Sequence, residues 1–157
     1  MVRARKMAER KSKKKEVQEE KKPKVITTTG KRKDAVARAV IENGNGNVMI
    51  NGSPISLWSN EYVRMRVMEP LVLASDVAAR VNIDVNVRSG GVMGQADAVR
   101  MAIARALVSF TKDRKLAEKF IQYDRNMLVF DPRRNEPHHA GGASKRGSRR
   151  HKQRSKR

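Results

Sequence analysis

Cysteine is absent from this sequence, which removes disulfides, thiolate nucleophiles and Cys-based zinc sites together. A disulfide-stapled secreted domain and a zinc finger are thereby excluded. Aromatic residues make up only 4%, so platforms for stacking bases are scarce, and any nucleic-acid recognition must work through shape and backbone. No apolar run reaches the length of a membrane-spanning helix, and the basic start of the chain lacks the apolar stretch of a secretory signal. Acidic side chains are also in short supply. Against 16 Asp and Glu stand 36 Lys and Arg, a formal net charge of +20 on 157 residues.

That charge is unevenly placed. Residues 1–24 carry 11 basic and 4 acidic side chains, and residues 132–157 carry 10 and 1, whereas residues 25–131 are close to balance at 15 and 11. Apolar residues concentrate in the middle, so neither end can bury enough surface to offset the entropy of ordering it. The expected organisation is a Lys/Glu-rich N-terminal extension (1–24), a globular α+β domain (25–131) and an extended basic C-terminal arm (132–157). Two cationic arms self-repel and call for a polyanion. Anionic lipid would also attract them, but neither arm has the Trp, Phe or Leu face that an interfacial helix inserts.

Within the middle, Ala35, Ala37, Ala39 and Ile41 alternate with Val36, Arg38, Val40 and Glu42, a period of two that predicts a strand. The Asn43-Gly44-Asn45-Gly46-Asn47 run before Val48-Met49-Ile50 predicts a hairpin, and Asn51-Gly52 a second turn. Residues 54–58 read as a short turn-like element. Asn60 is a candidate N-cap for a helix with Val63, Val67 and Leu71 on one face, which Pro70 is expected to kink or restart. Val81, Ile83, Val85 and Val87 alternate with Asn82, Asp84, Asn86 and Arg88, a strand with one dry and one wet face. Gly90, Gly91 and Gly94 lead into a helix to about Phe110, thin with alanine and therefore able to approach a sheet closely. Thr111 is a candidate cap for a further helix with Leu116 and Phe120 inward, and residues 127–130 a last strand. The two Tyr and the Trp are assigned to the core. The fold class is α+β: a two-layer sandwich with a small mixed sheet and helices on one face.

Nothing in this pattern converges on catalysis. His138, His139 and His151 all lie in the C-terminal arm, and adjacent imidazoles without a third ligand are weak as a metal signal. Asp84 and Asp97 fall on outward faces as solvated or ion-paired groups. Gly30-Lys31 fails as a nucleotide-binding P-loop, because Val25 stands where the first Gly belongs and Arg32 replaces the Ser or Thr that holds magnesium. The Gly90-Gly91-Val92-Met93-Gly94 junction is the better phosphate candidate, since a helix N-terminus offers free N–H groups. A plain tight turn explains it equally well. No cofactor, metal, catalytic residue or small-molecule substrate is expected.

Five blocks read together carry a resemblance: Gly30-Lys31-Arg32-Lys33-Asp34-Ala35-Val36-Ala37-Arg38; Ile50-Asn51-Gly52; Gly90 to Ala96; Ala102-Ile103-Ala104-Arg105-Ala106-Leu107; and Asp131-Pro132-Arg133-Arg134 with Glu136 and a closing Ser155-Lys156-Arg157. In order and spacing they resemble the universal small-subunit ribosomal protein S nine family, over about residues 25–157. The Met127-Leu128-Val129-Phe130 lead-in is similar to the archaeal and eukaryotic branch. The resemblance implies a fold akin to the second domain of ribosomal protein S five, with a left-handed β-α-β arrangement. It implies binding to 16S-type rRNA of the 3′ major domain in the small-subunit head, among neighbouring head proteins, in the cytoplasm. The rRNA contacts implied are Lys31, Arg32, Lys33, Arg38, Gly90, Gly91, Arg133, Arg134, Lys145, Arg146, Arg149 and Arg150. Ser155, Lys156 and Arg157 are expected near P-site tRNA.

Three departures stand out. The blocks do not reach residues 1–24, Ser89 replaces the first of three glycines, and His138-His139 replace a Lys pair. Two other readings compete. One is a sequence-independent RNA-binding or chaperone protein, for which the arms alone would suffice. The other is a small-molecule kinase of related fold class, disfavoured by chain length and by Val92-Met93 in the loop.

Overall fold

The structure, a computed structural model, describes residues 25–133. Five strands form one mixed sheet: β1 (Ile26–Arg32), β2 (Ala35–Asn43), β3 (Val48–Ile50), β4 (Ser53–Pro54) and β5 (Val81–Arg88). Their order across the sheet is β1-β2-β5-β3-β4. All neighbours are antiparallel except β3 and β5, which run parallel. Helices α1 (Glu61–Leu73), α2 (Ser75–Ala78), α3 (Val92–Thr111) and α4 (Arg114–Tyr123) complete the domain. The α+β class with a mixed sheet is as the sequence implied. Among the described residues no helix is long and apolar enough to cross a membrane.

The strand alternation separates the two sheet faces. Ala35, Ala37, Ala39 and Ile41 of β2 and Val81, Ile83, Val85 and Val87 of β5 are buried. They face α3, whose Ala98, Ala102 and Ala106 are fully buried. The close approach is sharpest at Gly30 of β1, where a Cβ would sit 2.0 Å from the Ala98 carbonyl oxygen and 2.6 Å from the Ala102 nitrogen. Thr28 Oγ1 donates to the Ala102 carbonyl at 2.9 Å, tying the same strand to the same helix. On α1, Val63 and Val67 are buried and Leu71 packs against the core.

Several expectations are corrected. β2 and β3 do not form a hairpin, because β5 lies between them. The Asn/Gly run instead wraps the start of β5: Gly44 N–H donates to Arg80 O, Gly46 N–H to Val81 O, and Asn45 and Asn47 N–H to Asn82 Oδ1. Local turn chemistry is satisfied there by a distant side chain, which sequence proximity does not reveal. The true hairpins are β1–β2, through Lys33-Asp34, and β3–β4, through Asn51-Gly52, with positive φ at Lys33, Asn51 and Gly52.

Pro70 does not interrupt α1. It sits near the C-terminal end, is fully buried, and loses only one backbone bond. Asp113, not Thr111, caps α4, accepting from the Lys115 N–H at 2.9 Å, while Thr111 ends α3 and bonds back to Leu107 O. Residues 127–130 form no strand; a 3-10 turn, Arg125–Met127, occupies the region. Tyr62 and Tyr123 are 84% and 56% exposed, so neither is core, whereas Trp58 packs half-buried against it.

Among the described residues one charged side chain lies inside. Arg100 of α3 is 4% exposed and bridges Glu69 of α1 and Asp124, the latter at 2.5 Å. Burial pushes the Asp124 carboxyl up. The Arg100 hydrogen bond, the Asn126 N–H and the charges of Arg100 and Arg66 outweigh this and hold it below the usual carboxylate value.

Candidate nucleic-acid interface

Among the described residues nothing covers the face of the sheet away from α3, and its wet positions are set by the same period of two. Reading across the strands at one end, Lys31, Val36 and Arg88 form one row, and Thr29, Arg38 and Asn86 the next. Arg38 and Arg88 are exposed diagonal neighbours, about 7–8 Å apart by sheet geometry. With Val36 and Asn86 they line a depression of about 410 Å³. No acidic residue occupies either row. Three like charges held together on a sheet are mutually destabilising until an anion bridges them.

Two turns meet beside this basic end. The β1–β2 turn places Lys33 at φ +52, and the β5–α3 turn places Ser89 at φ +63 and Gly90 at φ +75. Gly90 is required twice over: its φ favours glycine, and a Cβ would meet Ala35 Cβ and N at 2.9 Å. Ser89, although not glycine, also adopts the left-handed conformation, at a cost of about 1 kcal/mol. Gly91 caps α3 without a side-chain bond, and no acid lies in the first turn. The first backbone bond of the helix runs from Gln95 N–H to Gly91 O. The N–H groups of Val92, Met93 and Gly94 therefore point outward beside Lys33, with space free around Gly91.

The structure thus places Lys31, Lys33, Arg38, Gly90 and Gly91 at the same end of the sheet. Arg32 differs. Its guanidinium turns away to pair with Asp131 and, at 3.5 Å, with Asp97. Asp97 also takes a 2.5 Å hydrogen bond from Arg66 Nε, which with the Asp97 charge holds the Arg66 guanidinium above its ordinary value. Asp131 Oδ1 in turn accepts from the Arg133 N–H at 2.9 Å. Arg105 helps from the helix, donating to Leu128 O and Thr29 O. Arg32 is therefore a tether: it fixes the point from which the C-terminal segment departs at the basic end of the sheet. Arg133 is exposed there. Arg134, Lys145, Arg146, Arg149, Arg150, Ser155, Lys156, Arg157 and the three histidines lie outside the described residues.

Sequence reading did not single out Arg88, although its wet strand position signalled that it stands on the same face as Arg38. The pairing of Arg32 with Asp97 and Asp131 left no local signal. Among the described residues no three His, Cys, Asp or Glu side chains group to hold a metal ion.

Residues 30–157 match the family model described as ribosomal protein S9/S16. The small ribosomal subunit protein uS9 of Methanococcus maripaludis strain C7 is 43% identical over 122 residues, covering 78% of this chain and 91% of the relative. That of strain C5 matches to the same extent.

Proposed function

This chain belongs to the ribosomal protein S9/S16 family, and from that premise we propose that it is a structural, non-catalytic constituent of the small ribosomal subunit that binds rRNA of the head. The observation that carries this reading is the acid-free cluster of Lys31, Arg38 and Arg88 beside the open N-terminus of α3. Arginine suits bidentate phosphate contact and lysine point-charge neutralisation, while the outward N–H groups of α3 donate to phosphate oxygens directly. The globular part fixes position on 16S-type rRNA of the 3′ major domain. The C-terminal segment, leaving from Arg133, runs between RNA helices and brings Ser155, Lys156 and Arg157 towards P-site tRNA, among the neighbouring head proteins of the cytoplasmic ribosome.

Footprinting with salt titration tests the rRNA part. One region of the 3′ major domain should be protected, with log affinity falling by about 0.9 per phosphate contact for each unit of log salt concentration. Equal protection of random RNA would instead favour a sequence-independent chaperone. Removing residues 155–157 tests the tail: subunits should still incorporate the protein and hold P-site tRNA more weakly. Unchanged tRNA retention would sink the tail's role.

A further inference from the structure

The open face of the sheet is not basic throughout. At the end opposite Arg88, Thr27, Val40, Asp84 and Met49 form one row across four strands, and Glu42 faces Asn82 in the next. Val40 and Met49 are 37% and 42% exposed. With Glu42, Asn47, Asn82 and Asp84 they line a depression of about 450 Å³. In a chain of charge +20, this half carries two carboxylates, and among the described residues neither Glu42 nor Asp84 has an ion-pair partner. Phosphate is repelled from such a surface; a cationic segment with some apolar character fits it.

The chain supplies one at that spot. Ile26 pairs with Ile41, so Val25, exposed on the open face, stands beside Glu42. The residues immediately before it are Lys21, Lys22, Pro23 and Lys24. From β1 to β3 is three strand spacings, about 14 Å, and four extended residues reach about 13 Å. We propose that residues 21–24 of this chain lie across the acidic half of its own sheet, with the lysines over Glu42 and Asp84 and Pro23 against Val40. The basic half repels the same segment, which gives the crossing its direction. The two halves then serve different partners: one meets RNA, and the other anchors the N-terminal extension.

Carbodiimide cross-linking of the full chain, at about 0.05 M salt and low protein concentration, tests this. Amide bonds from Glu42 or Asp84 to Lys21, Lys22 or Lys24 are expected, with the yield falling severalfold at about 0.5 M salt as screening shortens. Glu42→Gln with Asp84→Asn should abolish them without unfolding, because both side chains are exposed. The proposal is overturned if these bonds are missing while others form. Bonds found only between isotopically light and heavy copies would assign the face to a second copy. Bonds from Glu42 and Asp84 only to a lysine of another protein in purified small subunits would assign it to that partner.

Discussion

The two faces of one sheet have opposite duties, and they are written in alternate residues of the same strands. On the covered face, Ala37, Ala39, Val85 and Val87 meet an alanine-rich helix, and tolerance is set by steric fit. On the open face, Arg38, Arg88, Asp84 and Glu42 touch little, and what matters is the sign and arrangement of charge. Stability and binding should therefore respond to different positions that are neighbours in the sequence.

The contrast breaks most visibly at Gly30. Gly30→Ala places a methyl against the α3 backbone, which cannot yield, so the helix must lift from β1. We expect a loss of about 3 kcal/mol or more, the upper end of overpacking costs, read by denaturant unfolding. A neutral result would mean the helix does not lie this close.

Next is Arg100→Leu, which strands Glu69 and Asp124. Because both carboxylates keep a quarter of their side-chain exposure, about 2–3 kcal/mol is expected rather than the full cost of a broken buried pair. The pH dependence has a definite sign. In the native chain the Asp124 carboxyl lies below its ordinary value, so its contribution is present above the unfolded value, about 3.9, and fades as pH falls through the folded one. In the variant burial remains without the guanidinium, and protonation relieves it. The stability gap between the two proteins should narrow as pH falls from 7 towards 3, followed by unfolding curves across that range.

The smallest effect on stability, and a large one on binding, belongs to Arg38→Gln with Arg88→Gln. Unfolding should shift by less than about 0.5 kcal/mol, while the salt slope of rRNA binding loses about 2 if each arginine meets a phosphate. An unchanged slope would move the RNA contact elsewhere.

Legibility followed the range of the interaction. Strand alternation separated the two faces of β2 and β5 and marked the dry face of β5, because a period of two is read off neighbours. The Asn/Gly hairpin failed because the loop's N–H groups are satisfied by Asn82, 35 and 37 residues away. Tyr62 and Tyr123 failed because composition does not say which side of a helix is covered. Arg32, grouped with its basic neighbours, is drawn off by Asp97 and Asp131.

The sequence alone determined the period of the strands, the charge of the two ends and the places where the backbone must turn, because those depend on residues adjacent along the chain. Only the tertiary structure decided that β5 separates β2 from β3, that Arg32 pairs with Asp97 and Asp131, and that the charge of the open face changes sign from one end to the other. Each of these rests on groups far apart in sequence, and their pairing is fixed only when burial and sheet register bring them together.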